Sequence, residues 1–314
     1  MKRREFMVTT AAAGLTASST VHRLAAEEAG TLEKRALGRT GEKLSIIGFG
    51  GIVVMDSESS HANRVVAEAF ERGINYFDVA PSYGNAQDRL GSALKPYRDR
   101  VFLACKTLER SKDGAERELQ DSLKKLETDH VDLYQLHALS KMEDLDQAAG
   151  PGGALETFVA AREKGLIRFI GFSAHSEEVA LAALDRFPFD SVLFPINFTC
   201  WHQGNFGPKI YAKAEAKGVG LLALKALARC PWPQGADRSA YSKCWYQPLT
   251  DLRESEIGLR FTLSKNITAA VTPGEEAMFR RALEIASRFT PLSVEEEEEA
   301  KRMAASLQPI FQNA

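Results

Sequence analysis

The stretch Val101–His137 reads VFLACKTLERSKDGAERELQDSLKKLETDHVDLYQLH, and it contains two short apolar runs separated by a segment with helical periodicity. The apolar runs are Val101–Lys106 and Val131–His137, whose lengths are typical of buried strands. In Ala115–Leu126 the leucines recur three and four residues apart, which predicts an amphipathic helix. A strand–helix–strand unit of this kind is typical of a parallel sheet.

The same alternation continues on both sides of this stretch. Six further apolar runs predict strands: Leu44–Phe49, Tyr76–Asp78, Phe169–Ser173, Ser191–Asn197, Val219–Lys225 and Ile267–Thr272. Segments with helical spacing separate and follow them: Ala62–Arg72, Gln87–Leu94, Ala154–Lys164, Ser176–Arg186, Pro208–Lys217, Asp251–Leu263, Glu275–Arg288 and Val294–Leu307.

Eight predicted strands, each followed by a helix, predict an α/β fold, namely a closed (β/α)8 TIM barrel formed by residues 31–314. An open doubly wound sheet is the alternative, but no Gly-x-Gly-x-x-Gly pattern follows the first predicted strand. Glu33–Lys43 predicts an N-terminal β-hairpin that precedes the barrel. The segments after the last strand predict extra C-terminal helices.

The composition is that of an ordinary globular protein. Of the 314 residues, 44% are hydrophobic and 26% are charged, which excludes a disordered chain. The 40 basic and 42 acidic residues give a net charge of −2, which argues against a nucleic-acid partner. The four cysteines include no Cys-x-x-Cys pair, so no metal site is predicted. Whether Cys230 and Cys244 pair in an oxidising compartment stays open.

The N-terminus predicts a targeting segment. Residues 1–7 are basic, Val8–Val21 is weakly apolar, and small residues lead to Ala26, as in a secretory signal. The Arg3-Arg4 pair is typical of a twin-arginine (Tat) signal, so we expect residues 1–30 to be a signal peptide and the Tat machinery to be a partner. This predicts a periplasmic or otherwise exported protein, or a cytoplasmic one if the signal is unused. The apolar part is too short and too polar for a stable membrane span.

Polar residues follow the predicted strands at the end where a barrel places its reactive face. Asp78, Lys106 and His137 end the second, third and fourth strands, and Tyr83 lies in the loop after Asp78. Singly, each has an ordinary structural interpretation, such as a turn-forming Asp or a solvated Lys. A barrel, however, brings neighbouring strand ends together, so we expect the four side chains to converge.

Five motifs in a fixed order resemble those of the aldo-keto reductase superfamily, over about residues 32–288. They are Leu37–Gly41 (LGRTG), Ile47–Gly51 (IGFGG), Asn75–Gly84 (NYFDVAPSYG), Val131–His137 (VDLYQLH) and Lys164–Ser173 (KGLIRFIGFS). The resemblance implies hydride transfer between a nicotinamide cofactor and the carbonyl or alcohol carbon of an aldehyde, ketone or sugar. It also implies a catalytic tetrad.

Each tetrad member has an implied role. Tyr83 is implied to be the general acid and base, and the Lys106 ammonium is expected to lower the pKa of its phenol. Asp78 is implied to hold Lys106 through a charge-assisted hydrogen bond. His137 is implied to orient the substrate carbonyl.

The implied cofactor-binding positions lie in the second half of the barrel. They are Ser173, Asn197, Leu222, Lys225, Thr272, Gly274, Arg280 and Arg281. Arg280 or Arg281 is expected to pair with a 2′-phosphate, which favours NADP over the alternative, NAD. Ala174 departs from the family, which usually has Asn at that position.

Aromatic residues in the long loops after the sixth and seventh strands predict a substrate pocket. Trp201, Phe206 and Trp232 are the main candidates, together with Trp245 and Tyr246. The alternative is that each loop buries its own rings for stability.

Two other functions compete with a reductase. A non-catalytic nicotinamide-binding or regulatory barrel would agree with the altered cofactor positions, but it has no need of both Tyr83 and Lys106. A sugar isomerase or hydrolase would need paired carboxylates or a metal cluster at the strand ends, where Asp78 stands without a second carboxylate.

Overall fold

The computed structural model describes residues 32–313. An antiparallel hairpin of Lys34–Ala36 (β1) and Lys43–Ser45 (β2) comes first, with Ala36 opposite Lys43. The next seven strands are Ile47–Gly50 (β3), Tyr76–Asp78 (β4), Phe102–Thr107 (β5), Val131–Leu139 (β6), Ile167–Ala174 (β7), Ser191–Pro195 (β8) and Gly220–Leu224 (β9). The predicted N-terminal hairpin is thus present.

A second hairpin, Ala228–Pro231 (β10) with Tyr246–Pro248 (β11), lies in the loop after β9. The strand Ala269–Val271 (β12) then pairs in parallel with β9 on one side and with β3 on the other. This closes an eight-stranded barrel in the order β12-β3-β4-β5-β6-β7-β8-β9. The predicted (β/α)8 TIM barrel is therefore confirmed.

Helices surround the barrel. They are Ser59–Glu71 (α1), Ala86–Leu94 (α2), Lys112–Lys125 (α3), Met142–Ala149 (α4), Ala154–Glu163 (α5), Glu177–Arg186 (α6), Phe198–His202 (α7), Pro208–Lys217 (α8), Leu252–Leu263 (α9), Glu276–Ala286 (α10) and Val294–Ala305 (α11). Short 3-10 turns span Gly51–Val54, Arg98–Arg100 and Ser239–Tyr241. Among the described helices, none has the length and apolar character needed to cross a bilayer.

The alternation of side chains along each strand decides what enters the barrel lumen. In β5, Phe102 and Ala104 belong to the cluster inside the barrel, whereas Leu103 and Cys105 pack under the helices. Because side chains alternate with a period of two, Lys106 shares the inward face of Phe102 and Ala104. The same rule turns polar side chains of β4 and β6 inward, so the fold itself collects polar groups in the lumen.

The long loops after the strands contain regular structure, namely α4, α7 and the β10–β11 hairpin. Cys230 and Cys244 are free thiols, and the Sγ of Cys230 donates a hydrogen bond to Oε1 of Gln247, 3.1 Å away. The predicted signal peptide at residues 1–30 lies outside the described residues.

Candidate active site

A buried ion pair occupies the lumen at the carboxyl ends of β4 and β5. Nζ of Lys106 bonds Oδ1 of Asp78, and the two side chains are 1% and 2% exposed. The second carboxylate oxygen, Oδ2, accepts hydrogen bonds from the hydroxyl of Tyr76 at 3.3 Å and from Nε2 of Gln135 at 3.2 Å. Lys106 also donates to the carbonyl oxygen of Val79 at 3.3 Å. A buried pair is stable only with such additional bonds, and here both charged groups have them.

Tyr83 lies above this pair in the loop after β4. The centre of its ring is 5.2 Å from Nζ of Lys106 and 5.8 Å from the centre of the His137 ring, with the two rings nearly perpendicular. Burial raises the pKa of the Tyr83 phenol, and the Lys106 ammonium opposes that rise without cancelling it. The expectation of a lowered pKa is therefore wrong for the free protein, because desolvation outweighs the nearby charge. The phenol is protonated at neutral pH.

His137 lies on the inward face of β6 and lines the same cavity as Tyr83 and Lys106. Burial, and then the positive charges of Lys106 and its neighbours, lower the pKa of this imidazole to about 2. The ring is neutral at physiological pH and so carries one N–H donor and one acceptor. Its Nδ1 is buried and has no hydrogen-bond partner among the described residues. A neutral imidazole can bond a carbonyl oxygen without adding a charge.

One cavity of about 220 Å³ joins these groups. Asp78, Tyr83, Lys106 and His137 all line it, so the structure brings the four predicted catalytic residues together. The loops after the strands form its rim, as expected at the carboxyl end of a TIM barrel. Its size suits a small molecule.

Two of the five loop aromatics line this cavity, and three do not. Trp245 and Tyr246 are in its wall. Trp201 instead packs edge-on against another ring of the helical layer, with the ring centres 5.7 Å apart. Phe206 is stacked in the core, and Trp232 donates its Nε1–H to a backbone carbonyl of its own loop at 2.9 Å. The prediction that Trp201, Phe206 and Trp232 form the pocket is corrected, because Trp201 and Phe206 pack against rings outside their loop and Trp232 is bonded within its own.

Of the predicted cofactor-binding residues, some line the cavity and others do not. Ser173, Lys225, Thr272 and Gly274 line the cavity. Leu222 does not, because it points into the apolar interior of the barrel, below the site.

Asn197 is not among the residues that line the cavity, and it is 1% exposed. Its Oδ1 accepts a hydrogen bond from the backbone N–H of Cys200 at 2.8 Å and so caps α7. Its Nδ2 is buried without a hydrogen-bond partner among the described residues.

The two arginines expected at a 2′-phosphate are occupied by protein groups. Arg280 pairs with Glu68 at 2.9 Å and with Glu276 at 2.6 Å. Arg281 donates to the carbonyl oxygen of Thr250 at 2.5 Å. Neither arginine lines the cavity, so a phosphate would have to displace these partners.

The chemistry of several residues at the cavity nevertheless suits parts of a nicotinamide dinucleotide. Lys225 has no carboxylate partner within the described chain, and burial lowers the pKa of its ammonium to about 8. Its backbone is left-handed, with φ 66°, and its Nζ lies 5.2 Å from the ring centre of Tyr246. A phosphate would neutralise this cation. The unpartnered Nδ2 of Asn197 and the hydroxyl of Ser173, which accepts a bond from Ala138 N–H, suit a carboxamide.

Sequence reasoning missed four side chains of this site. Tyr76 and Gln135 bond Asp78, and each stands two residues before a predicted catalytic residue on the same strand face. That spacing is a signal that could have identified them. His175 and Lys243 also line the cavity. Lys243 lies in the β10–β11 loop and donates to three backbone carbonyls beyond β3, contacts that no local pattern predicts.

No group of three or more His, Cys, Asp or Glu side chains in residues 32–313 is arranged to hold a metal ion. The geometry is that of a TIM-barrel enzyme with a buried ammonium–carboxylate pair, a phenol and an imidazole at its mouth. The sequence model of the aldo/keto reductase family matches residues 47–300, and the chain belongs to that family. It is an oxidoreductase of the aldo-keto reductase type.

Several known proteins are similar to this chain. An uncharacterized oxidoreductase, YqkF, of Bacillus subtilis is 31% identical over 77% of this chain and 87% of its own length. L-galactose dehydrogenase of Arabidopsis thaliana is also 31% identical, over 63% of this chain and 66% of its own length. Among solved structures, the holo form of aldo-keto reductase AKR11C1 from Bacillus halodurans is 24% identical, with a TM-score of 0.70, over 90% of this chain and all of that chain. The structural likeness supports the fold.

Proposed function

We propose that this protein transfers a hydride between NADP(H) and the carbonyl or alcohol carbon of an aldehyde, ketone or sugar, with Tyr83 as general acid and base. The observation that carries the proposal is the convergence of Tyr83, His137 and the Asp78–Lys106 pair on one small cavity. The name of the plant relative, L-galactose dehydrogenase, makes sugars a natural part of the substrate panel.

The ion pair prepares Tyr83 for proton transfer. Burial opposes the charge on Lys106, but the nearby Asp78 carboxylate outweighs it and raises the pKa of the ammonium, which stays charged. That fixed positive charge near the phenol stabilises the phenolate left when Tyr83 gives its proton to the substrate oxygen. In the reverse direction the phenolate takes the proton back.

His137 supplies a hydrogen bond from a neutral ring whose charge does not change. Because its pKa is about 2, the imidazole stays neutral while Tyr83 cycles between phenol and phenolate. One ring nitrogen donates to the substrate oxygen and fixes its direction toward Tyr83. A nicotinamide held at this cavity would supply the hydride.

Residues in and around the cavity would hold the cofactor. Ser173 and Asn197 would bond its carboxamide, and Lys225 would pair with a phosphate. Arg280 would receive the 2′-phosphate of NADP(H) by exchanging its carboxylate partners. Exposed ion pairs are worth at most about 1 kcal/mol, and the Arg280 side chain is 48% exposed, so the exchange costs little. NAD(H) is the alternative, since it needs no such exchange.

A second candidate is a nicotinamide-binding barrel without turnover. It is favoured by Ala174, which lacks the amide of the family pattern, and by the carboxylates that occupy Arg280. The two candidates agree on cofactor binding and differ on turnover. An assay of both properties separates them.

The decisive experiment is a nicotinamide absorbance assay over aldehydes, ketones and sugars, paired with cofactor titrations of melting temperature. We expect turnover of some carbonyl substrates, and Tyr83→Phe to lose about 10²–10⁴-fold in kcat because the acid is removed. The variant should keep its cofactor-dependent rise in melting temperature. Tyr97→Phe, which removes a phenol stacked on Phe70 away from the cavity, is the matched control.

The results divide the candidates clearly. Unchanged turnover in Tyr83→Phe would refute the assigned acid. Cofactor binding without turnover on any substrate favours the non-catalytic barrel. If neither NADPH nor NADH shifts the melting temperature while another ligand does, the reductase proposal fails.

We also propose that residues 1–30 direct export through the Tat route. The support is the Arg3-Arg4 pair and the weakly apolar stretch that follows it. The Tat route carries folded proteins, which suits an enzyme that binds its cofactor before export. Replacing both arginines with lysine should retain the protein in the cytoplasm in a cell-fractionation experiment, and unchanged export would contradict the proposal.

A further inference from the structure

His175 is a histidine of the cavity that the proposed mechanism does not use. It follows β7, and its backbone N–H donates to the carbonyl oxygen of Leu139 at 3.0 Å, which ties it to the end of β6. Its side chain lines the same cavity as Tyr83 and His137. The cavity therefore contains a second imidazole beside the catalytic groups.

The plane of this ring is held by aromatic stacking. The His175 ring lies parallel to that of Phe311, with an interplanar angle of 7° and the ring centres 5.3 Å apart. Phe311 in turn stacks on Phe206 at 5.3 Å. The backbone N–H of Asn313 bonds the carbonyl oxygen of Gly204 at 2.9 Å and anchors this segment. A flip of the imidazole within this plane keeps the stacking and changes which ring atoms face the cavity.

The imidazole is neutral and incompletely bonded. Burial, and then the charge of Lys225, lower the pKa of His175 to about 4. Its Nε2 is buried and lacks a hydrogen-bond partner among the described residues. Buried polar atoms are nearly always bonded in native proteins, so an exception calls for an explanation.

Packing alone does not explain a histidine here. A phenylalanine would stack on Phe311 equally well and would leave no polar atom without a partner. A neutral imidazole has one donor and one acceptor, and a hydroxyl group likewise both donates and accepts. Trp245, 51% exposed in the cavity wall and edge-on to Phe311 at 5.7 Å, adds an apolar surface for the carbon chain of a small ligand.

We propose that His175 determines substrate specificity by hydrogen-bonding a hydroxyl group of the carbonyl substrate, so that hydroxyaldehydes and sugars are preferred over unsubstituted aldehydes. This inference rests on the proposed reductase function. A site built to bond a hydroxyl group discriminates against the analogue without it, because its own polar atoms are then left unpaired.

The test compares glyceraldehyde with propanal, which has the same three-carbon chain without hydroxyl groups. We expect His175→Phe to lower the ratio of kcat/KM for glyceraldehyde over propanal by about tenfold or more. Because the intrinsic reactivities of the two aldehydes cancel between enzymes, the change in the ratio isolates the side chain. His175→Gln, which keeps a donor and an acceptor, should recover a substantial part of the ratio.

His202→Phe is a matched control. His202 also has a buried Nε2 without a partner among the described residues and packs against a ring, Phe261, but it lies outside the cavity. Its substitution should leave the ratio unchanged. An equal ratio in wild type and His175→Phe, or an equal effect of His202→Phe, would overturn the inference.

Binding provides a readout that needs no turnover. Quenching of tryptophan fluorescence, to which the half-exposed Trp245 contributes, reports the affinity for each aldehyde. If no carbonyl compound is turned over, the proposed function fails, yet weaker glyceraldehyde binding in His175→Phe would still support His175. Equal glyceraldehyde affinity in wild type and His175→Phe would reject the proposed role of His175, whether or not the substrate is turned over.

Discussion

The two ends of the barrel use buried charge in different ways. At the amino-terminal end, Asp132 accepts hydrogen bonds from the backbone N–H of Leu103 at 2.8 Å and from Arg168 at 2.7 Å, and it pairs with Arg98 at 3.1 Å. Each of these contacts joins neighbouring segments of the barrel wall. The charges there satisfy one another.

At the carboxyl end, the Asp78–Lys106 pair is surrounded by groups that the protein leaves unsatisfied. His137 and His175 each keep a ring nitrogen without a partner among the described residues, and Lys225 has no carboxylate partner there. Unpaired buried groups lower stability, and these three line one cavity, so a ligand bound there would complete their bonding. The difference teaches that one end of the barrel stabilises the fold while the other end is prepared for binding.

The largest expected effect comes from removing the charge at the carboxyl end. Lys106→Met should reduce kcat by about a thousandfold, because the phenolate of Tyr83 loses its stabilising cation. The free energy of unfolding should also fall by about 3–5 kcal/mol, since Asp78 is left buried without its counter-charge. Steady-state kinetics and urea unfolding measure the two effects.

The double variant Asp78→Asn/Lys106→Met separates chemistry from folding. Replacing both partners removes the uncompensated charge, so most of the lost stability should return. Turnover should not return, because the ammonium is still absent. Recovery of turnover in the double variant would mean that Lys106 acts through stability alone.

Asp132→Asn tests the other end of the barrel. We expect a loss of about 2–4 kcal/mol in the free energy of unfolding, because Arg98 and Arg168 lose a buried partner. The kcat of the folded fraction should stay within a few-fold of the wild-type value, since the site is at the opposite end of the strands. A loss of turnover comparable to that of Lys106→Met would break the contrast between the two ends.

The imidazoles at the carboxyl end should make stability depend on pH. His137 and His175 have folded pKa values of about 2 and about 4, below the ordinary 6.5. Below pH 6.5 the unfolded chain therefore takes up protons that the folded protein does not, and stability falls as the pH drops from 6.5 toward 4. Above pH 6.5 the imidazoles are neutral in both the folded and the unfolded chain, so they cause no loss of stability there.

Substituting one imidazole should weaken this dependence. In His175→Phe, the fall in melting temperature between pH 6.5 and pH 4 should be smaller by about 4–10 °C, the shift expected for roughly 2–3 kcal/mol, because the wild-type imidazole has a pKa of about 4 in the folded protein and an ordinary value in the unfolded chain. Carboxylates such as Glu296, whose pKa is lowered to about 2 by its hydrogen bonds to Arg260, contribute equally in both proteins. Identical pH profiles would show that His175 is not desolvated in the folded state.

Much of the architecture was predictable because local signals and topology agree. The spans of β4 and α8 match the predicted Tyr76–Asp78 and Pro208–Lys217. Proline at the first position of α8 and a left-handed Gly218 after its end mark both boundaries. Four polar residues at strand ends then converge, because a barrel brings those ends together.

The remaining features depend on contacts between distant parts of the chain. Phe206 is buried by Phe311, more than a hundred residues away, so its position in a loop did not reveal that it belongs to the core. The pairing of Arg280 with Glu68 likewise joins α10 to α1 across the outer layer. The phenol of Tyr83 has a raised pKa because burial, which the sequence does not measure, outweighs its charged neighbour.

The smallest expected effect concerns Arg280, at the exposed edge of the carboxyl end. Its charge is paired with carboxylates, as the charges at the amino-terminal end are, but this pair is in contact with water. If Arg280 exchanges its carboxylates for a 2′-phosphate, Arg280→Met should raise the KM for NADPH about three- to tenfold and leave that for NADH unchanged. Arg253→Met is the matched control, because Arg253 is 50% exposed and pairs with Glu299 at 2.6 Å away from the cavity. Equal KM values for NADPH in wild type and Arg280→Met would assign Arg280 to the surface network alone and would favour NAD(H), because the ribose hydroxyls of that cofactor need no cation.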